Sequence, residues 1–208
     1  GRGAFIGGVH RLCARMDGQY DLVAGALSSD PQRAKESGAD LRLAPDRIYT
    51  SFAEMAAAEA KRADGIAVVS IVTPNDSHHA IARAFRDRGF EVICDKPMTT
   101  TVEDALDLVQ AVRRTGLVFG VTHNYTGYPM VRQAREMIAA GELGTIRIVQ
   151  GEYVQDWLTT KLEDTGQKQA AWRGDPARAG ARGRLRDHGT PAPHLPGFVP
   201  RLRLRGLA

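Results

Sequence analysis

The chain has 208 residues, of which 43% are hydrophobic and 25% charged, enough apolar material for one domain core and part of another. No run of 18 or more apolar residues is present, which argues against a membrane partner, and no signal-peptide pattern opens the chain. The net charge of +4 comes from eight arginines in residues 172–208, which lack the periodicity and interleaved aromatic residues expected for a nucleic-acid partner. Two cysteines, Cys13 and Cys94, favour a reducing, cytoplasmic location over a disulfide framework.

Short apolar runs alternate with helical patterns between residues 20 and 122. Gly38, Gly89 and Gly116 are predicted to end three of the helices. Strands are predicted at 20–27, 49–52, 66–72, 91–94 and 117–122, and helices at 31–37, 52–63, 78–88 and 102–115. This alternation predicts an α/β fold, with a Rossmann-like doubly wound parallel sheet in a dinucleotide-binding domain over residues 1–122.

The chain opens at a glycine turn with no strand before it, so we expect the doubly wound sheet to lack its first strand. The pattern changes after residue 122. A helix is predicted at 129–140, and the alternation over 144–154 is typical of an antiparallel strand. We therefore predict a partial α+β domain with antiparallel strands at 123–208, for substrate binding and oligomerisation, in which the Arg- and Pro-rich residues 182–208 are irregular.

The glycine turn predicts where a pyrophosphate would bind. The backbone N–H groups of such a turn and of the helix that follows can approach a phosphate, although the spacing is one residue longer than the usual fingerprint. An ordinary glycine turn remains an alternative. The residues predicted to contact the cofactor here are Gly1, Gly3, Ala4, Phe5 and Ile6.

The second predicted strand ends at Ser28 and Ser29, where an acidic residue would select an adenosine ribose with a free 2′-hydroxyl. Serine does not repel a 2′-phosphate, and Arg33 lies one helical turn further on. These residues predict NAD or NADP as cofactor, with a slight preference for NADP. The alternative is that Ser28–Pro31 only caps the next helix.

Polar residues also follow the later strands. In an open parallel sheet, such positions face the ligand crevice. A lysine beside an apolar strand end and an oxidised, positively charged cofactor could share its proton with a substrate hydroxyl, so Lys96 is predicted to be catalytic. A solvated surface lysine paired with Asp95 is the alternative. The predicted contacts to the nicotinamide half are Thr73, Pro74, Asn75, His78, Asp95, Lys96 and Asn124.

A polyol substrate calls for aromatic, guanidinium and carboxylate groups. The residues predicted to bind it are Lys96, Asn124, Tyr125, Trp172, Arg173 and Asp187. No spacing of ligands predicts a metal site.

Taken in order, these residues resemble the glucose–fructose oxidoreductase / inositol dehydrogenase family, Gfo/Idh/MocA, over about residues 1–190. The matching pieces are the glycine turn with His10, Thr73-Pro74-Asn75 with His78, Asp95-Lys96-Pro97 in place of the family's Glu-Lys-Pro, Asn124-Tyr125, and Gly141-Glu142-Leu143-Gly144. The resemblance implies NAD(P)-dependent oxidation or reduction of a sugar or cyclitol hydroxyl, and a homo-oligomer for the intact family member.

The family's downstream Asp-x-x-x-His pair is only half present. Asp187 matches the aspartate, and the resemblance implies that it is catalytic, but Pro191 stands where the resemblance implies an acid/base histidine. Since general acid–base catalysis contributes roughly 10²–10⁴-fold, we expect this chain to be impaired and to represent a fragment. A non-catalytic dinucleotide-binding fragment and an NAD-dependent glycosidase on the same scaffold are the alternative functions.

Overall fold

The computed structural model describes residues 1–149, and the chain divides into two compact units, Gly1–Thr122 and His123–Ala208. Five strands alternate with five helices in the first unit. The strands are β1 (Gly25–Ala26), β2 (Ile48–Tyr49), β3 (Val68–Ile71), β4 (Glu91–Asp95) and β5 (Phe119–Thr122). The helices are α1 (Phe5–Arg15), α2 (Pro31–Asp40), α3 (Phe52–Glu59), α4 (His78–Arg86) and α5 (Val102–Thr115).

Every strand pair in the first unit is parallel, which confirms the predicted fold class. β1 pairs with β2, and β4 lies between β3 and β5. Within residues 1–149, no strand pairs with the second edge of β1 or of β3, so the strands form two separate sheets. The register places Ile71 beside Cys94 and Asp95 beside Thr122, so the carboxyl ends of β3, β4 and β5 meet at one edge.

One apolar core joins the two sheets and the helices between them. Side chains of α4 pack onto the central strands, and Phe85 meets the ring of Phe90 edge to face at a centroid distance of 5.7 Å. Burial of such side chains contributes roughly 1.5–3 kcal/mol each. The core residues are Ala24, Tyr49, Met55, Ala56, Val69, Ile71, Ile81, Ala82, Phe85, Phe90, Val92, Cys94 and Leu108.

Capping side chains set the starts of three helices. Asp30 accepts a hydrogen bond from the N–H of Arg33, Ser51 from that of Glu54, and Thr101 from that of Asp104. α5 runs from Val102 to Thr115 and ends at Gly116 in the left-handed conformation, as predicted.

Gly38 does not end α2, contrary to the prediction, and the helix continues to Asp40. A Cβ at this position would lie 2.6 Å from the Ile48 side chain. The glycine therefore permits close approach of α2 to β2. β1 is also shorter than the predicted run of residues 20–27, since only two residues pair with β2.

The second unit contains a 3₁₀ turn, Asn124–Gly127, and helix α6, Pro129–Ala139. The predicted strand over residues 144–154 is wrong in its described part, because residues 144–149 have no strand pairing. Its remainder and residues 182–208 lie outside the described residues. None of the helices in the described part of the chain combines the length and apolar character needed to cross a bilayer.

Candidate functional site

Three loops leave the sheet at its carboxyl edge and carry predicted site residues. Thr73 and Pro74 follow β3 and are exposed, whereas Lys96 follows β4 directly and is partly buried. Thr122 ends β5. This edge is where ligands bind in open α/β sheets, because the strand ends and helix N-termini surround a common crevice.

The carboxylate of Asp95 anchors this edge. It accepts a hydrogen bond of 2.7 Å from the Thr122 hydroxyl, and His10 Nε2 faces the same oxygen at 3.8 Å. Burial alone would raise the pKa of Asp95, but the His10 ring, the Thr122 hydroxyl and the backbone N–H of Lys96 together lower it to about 2. Asp95 is therefore ionised near neutral pH and cannot serve there as a proton donor.

His10 connects α1 to the sheet edge. Its Nδ1 lies 2.8 Å from the Ser70 hydroxyl of β3, and its other nitrogen faces Asp95. In the sequence, His10 stands out only as part of the family resemblance, which implies no role for it. Helical spacing would have found it, because His10 lies three residues after the buried Gly7 on the side of α1 that packs near β3.

His78 is the first residue of α4 and is completely buried. Its Nδ1 lies 2.8 Å from the carbonyl oxygen of Pro97, and its Nε2 lies 2.9 Å from that of Thr73. Both ring nitrogens are thus engaged by backbone, which corrects the prediction that His78 contacts a cofactor directly. Asn75, in the 3₁₀ turn before α4, is also buried.

The glycine turn leads into α1 as predicted. Gly3 has a positive φ of 75°, and Ala4 precedes the helix, so the residue at the N-cap provides no side-chain oxygen for the first N–H groups of α1. Gly1 lies against β1, since a Cβ there would come within 2.1 Å of the Leu27 carbonyl oxygen. The Arg2 side chain pairs with Asp40, at 2.5 Å.

The end of β1 holds the predicted ribose residues. Asp30 caps α2 through a hydrogen bond of 2.6 Å to the Arg33 N–H, and the Ser28 oxygen accepts one of 3.1 Å from the Asp30 N–H. The predicted capping alternative is therefore correct for Asp30. Ser29 and Arg33 are exposed beside this turn.

The remaining predicted residues belong to the second unit. Asn124 and Tyr125 are exposed in the 3₁₀ turn, and the ring of Tyr125 contacts that of Tyr128 edge to face at 5.5 Å. Trp172, Arg173, Asp187 and Pro191 lie outside the described residues. Within residues 1–149 no group of three or more His, Cys, Asp or Glu side chains could hold a metal ion.

Three features define the class of dinucleotide-binding Rossmann domains. They are a parallel sheet, a helix without a side-chain cap after a glycine turn, and polar residues at the carboxyl edge of the sheet. Residues 1–123 match the oxidoreductase family with an NAD-binding Rossmann fold, and residues 131–191 match the GFO/IDH/MocA C-terminal domain. The chain belongs to the GFO/IDH/MocA family of oxidoreductases, which confirms the resemblance.

Each match to an individual relative spans a larger share of this chain than of the relative. An uncharacterized oxidoreductase of Bacillus subtilis, YfiI, is 36% identical over 212 residues, which is 100% of this chain and 53% of that protein. Levoglucosan dehydrogenase of Pseudarthrobacter phenanthrenivorans is 39% identical over 92 residues, or 44% of this chain and 24% of that enzyme.

Among solved structures, an inositol dehydrogenase homolog complexed with NAD+ from Azotobacter vinelandii has a TM-score of 0.82 and 40% sequence identity. The match covers 86% of this chain and 46% of that one. The chain therefore spans about half the length of the Bacillus subtilis protein and of the Azotobacter vinelandii protein.

Proposed function

We propose that the protein is an NAD(P)-dependent oxidoreductase that transfers a hydride between the nicotinamide and a carbinol carbon of a sugar or cyclitol. The single observation that carries the proposal is Lys96 at the carboxyl end of β4, beside an ionised Asp95, in a chain of this family. The named activities of the levoglucosan and inositol dehydrogenase relatives support the substrate class.

The residues at the sheet edge fit a dinucleotide. The first N–H groups of α1, which lack a capping side chain, suit a pyrophosphate, since a helix N-terminus favours negative charge. Ser28 and Ser29 would hold the adenosine ribose, and the exposed Arg33 would favour a 2′-phosphate, so we propose a slight preference for NADP. Thr73, Pro74 and Lys96 would border the nicotinamide half.

The bound nicotinamide supplies the redox chemistry, and the protein supplies orientation and proton handling. Lys96 would hydrogen-bond the reacting hydroxyl of the substrate and hold its proton. Asp95 would take no proton itself. Its carboxylate accepts from the backbone N–H of Lys96 and from Thr122, so it would fix the point from which the lysine side chain extends.

The substrate contacts proposed for the second unit are Asn124, Tyr125, Trp172, Arg173 and Asp187. Exposed Asn124 and Tyr125 are compatible with this role. Pro191 cannot transfer a proton, so we propose that turnover by this chain is slow compared with family members that carry a histidine there.

The test is cofactor binding and turnover by the 208-residue chain. Titration with NADH and NADPH, followed by cofactor fluorescence, measures affinity, and a panel of sugars and cyclitols is screened for reduction of NAD+ or NADP+ at 340 nm. Lys96→Ala should lower kcat by roughly 10²–10⁴-fold with little change in cofactor affinity. Lys61→Ala, which removes an exposed lysine after α3, is the matched control and should change neither.

Each other outcome has a separate meaning. Wild-type turnover by the Lys96→Ala protein would remove Lys96 from the mechanism. Tight cofactor binding without turnover on any polyol would favour a non-catalytic dinucleotide-binding module. Cofactor-dependent release of an aryl leaving group from a glycoside, without net formation of reduced cofactor, would favour the glycosidase.

A further inference from the structure

We propose that His10 is a positioning residue, which ties helix α1 to the carboxyl edge of the sheet and, through the Asp95 carboxylate, fixes the point of the backbone from which Lys96 extends. Its Nδ1 lies 2.8 Å from the Ser70 hydroxyl, and its Nε2 faces Asp95 at 3.8 Å. The inference rests on the proposed function for its catalytic consequence, whereas the contact between the ring and the carboxylate stands without it.

The register of the sheet places the partners of His10 on one face. Side chains that pair directly across two strands point to the same face, and so do side chains two residues apart along one strand. Thr122 pairs with Asp95. Ser70 pairs with Ile93, which lies two residues before Asp95. The hydroxyls of β3 and β5 and the carboxylate of β4 therefore share the face on which His10 of α1 meets them.

The carboxylate of Asp95 is held from two sides. The last side-chain torsion of an aspartate has only broad preferences, so neighbouring donors determine how the carboxylate is turned. Thr122 of β5 donates to Oδ1 at 2.7 Å, and His10, which bonds β3 on the other side of β4, faces the same oxygen. Asp95 also accepts from the backbone N–H of Lys96. A carboxylate fixed in this way therefore fixes the start of the loop after β4.

The partners of the ring define its contacts whatever its charge. Asp95 is ionised and only accepts hydrogen bonds, so the ring nitrogen that faces it carries a hydrogen. The Ser70 hydroxyl can donate to a bare Nδ1 or accept from a protonated one, so it satisfies the ring in either state. The side chains of His10 and Asp95 are only 12% and 18% exposed, so little water screens the N–H dipole from the carboxylate.

Two amide side chains separate the two contacts of the ring. The amide nitrogen of asparagine lies as many bonds from Cα as Nδ1 of histidine, and that of glutamine lies as many bonds away as Nε2. His10→Gln therefore keeps a donor towards Asp95 and loses the bond to Ser70, whereas His10→Asn keeps a donor at Ser70 and loses Asp95. Positioning through Asp95 predicts that the glutamine variant retains turnover and that the asparagine variant does not.

His79 provides a matched control, because it is another histidine with a carboxylate partner. Its Nε2 lies 2.8 Å from Asp107 of α5, and its side chain is 30% exposed. His79→Asn and His79→Gln make the same two changes in a pair that joins two helices rather than α1 and the sheet edge. Both variants should retain the wild-type kcat, which separates positioning at the edge from the general loss of a histidine–carboxylate contact.

The kinetic test separates positioning of the lysine from displacement of the whole helix. Because the first residues of α1 would bind the pyrophosphate, a displaced helix would weaken NADH binding, whereas a misplaced lysine would lower kcat alone. Displacement of a reacting group by about 1 Å costs on the order of 10²-fold in rate, so His10→Asn should lower kcat by up to about that factor with NADH affinity unchanged. Wild-type kcat in His10→Asn would overturn the proposal. Equal losses in His10→Asn and His10→Gln, or a matching loss of NADH affinity, would overturn it as well.

The contact itself is tested without turnover, by a double-mutant cycle at neutral pH. Urea midpoints are measured for wild type, His10→Asn, Asp95→Asn and the double variant. His10→Asn should lower the midpoint much less where Asp95 has already been changed, and equal shifts in the two backgrounds would overturn the proposal. His10→Gln, which keeps the contact, should shift the midpoint equally in both backgrounds, and its cycle decides the matter if His10→Asn does not fold. A wild-type chain that turns over no polyol would instead refute the proposed function, and the cycle would still decide whether His10 holds Asp95.

Discussion

Asp95→Asn tests the anchor at the sheet edge, because it removes the negative charge and keeps the shape of the side chain. In the folded chain the pKa of Asp95 is about 2, against 3.8 for the unperturbed carboxyl. At about 1.36 kcal/mol per pKa unit, this difference contributes roughly 2 kcal/mol to the free energy of unfolding near neutral pH. The Asp95 side chain is only 18% exposed, so solvent screens this contribution little.

The sign of the pH dependence follows from the lowered pKa. A carboxyl whose folded-state pKa lies below its unfolded value stabilises the fold fully above about pH 4, and the stabilisation is lost as the pH falls through about 2. Wild type should therefore exceed Asp95→Asn by about 2 kcal/mol at pH 7, and this difference should shrink towards zero near pH 2.

The assay is urea unfolding of both proteins, followed by circular dichroism at several pH values between 7 and 2. Asp21→Asn, at an exposed position, is the control and should follow wild type throughout. A stability difference between wild type and Asp95→Asn that stays the same over the whole pH range would refute the electrostatic reasoning. The loss would then come from packing alone.

The remaining predictions concern the free energy of unfolding, which is measured by urea unfolding. Glu59→Ala should lower the free energy of unfolding by about 3–5 kcal/mol, because it leaves the 91%-buried Arg47 side chain with only the exposed carboxylate of Asp64, at 3.4 Å. A double change to Arg47→Met and Glu59→Leu should recover much of that loss. No recovery would contradict this account. Gly38→Ala should destabilise by about 1–3 kcal/mol, since the new Cβ would lie 2.6 Å from the stiff, β-branched side chain of Ile48. Gly8→Ala should instead stabilise by up to about 1 kcal/mol, since its Cβ would meet only the end of the Arg11 side chain, at an ordinary contact distance of 4.0 Å. Stabilisation by Gly38→Ala would sink the packing explanation.

The Arg47–Glu59 pair shows what local patterns cannot reveal. Glu59 accepts hydrogen bonds from Arg47, from the Tyr49 hydroxyl at 2.8 Å and from the Ile66 N–H at 3.1 Å, all in the interior. In the sequence Glu59 is one of several charged residues near the end of a helical pattern. Its burial depends on how α3 packs against β2, which involves contacts between segments that sequence periodicity treats separately.

The site residues likewise divide into those whose position a local sequence pattern predicts and those whose contacts depend on tertiary packing. The sequence predicts that Lys96 and Thr73 lie just after the carboxyl ends of strands, because each follows an apolar run closely. It does not predict the two backbone contacts of His78, whose partners lie 19 and 5 residues away along the chain. His10 likewise reaches Ser70 over 60 residues.

The sequence by itself determined the order and type of the elements in residues 1–122, because hydrophobic period, caps and glycine stops act within a few residues of one another. It also determined the family, through short motifs at the ends of predicted strands. Only the tertiary structure decided that Gly38 lies inside a helix, that Asp95 stays ionised and that His78 faces two carbonyl groups. Each of these depends on the electrostatic field and the steric boundary that distant segments create when they pack together.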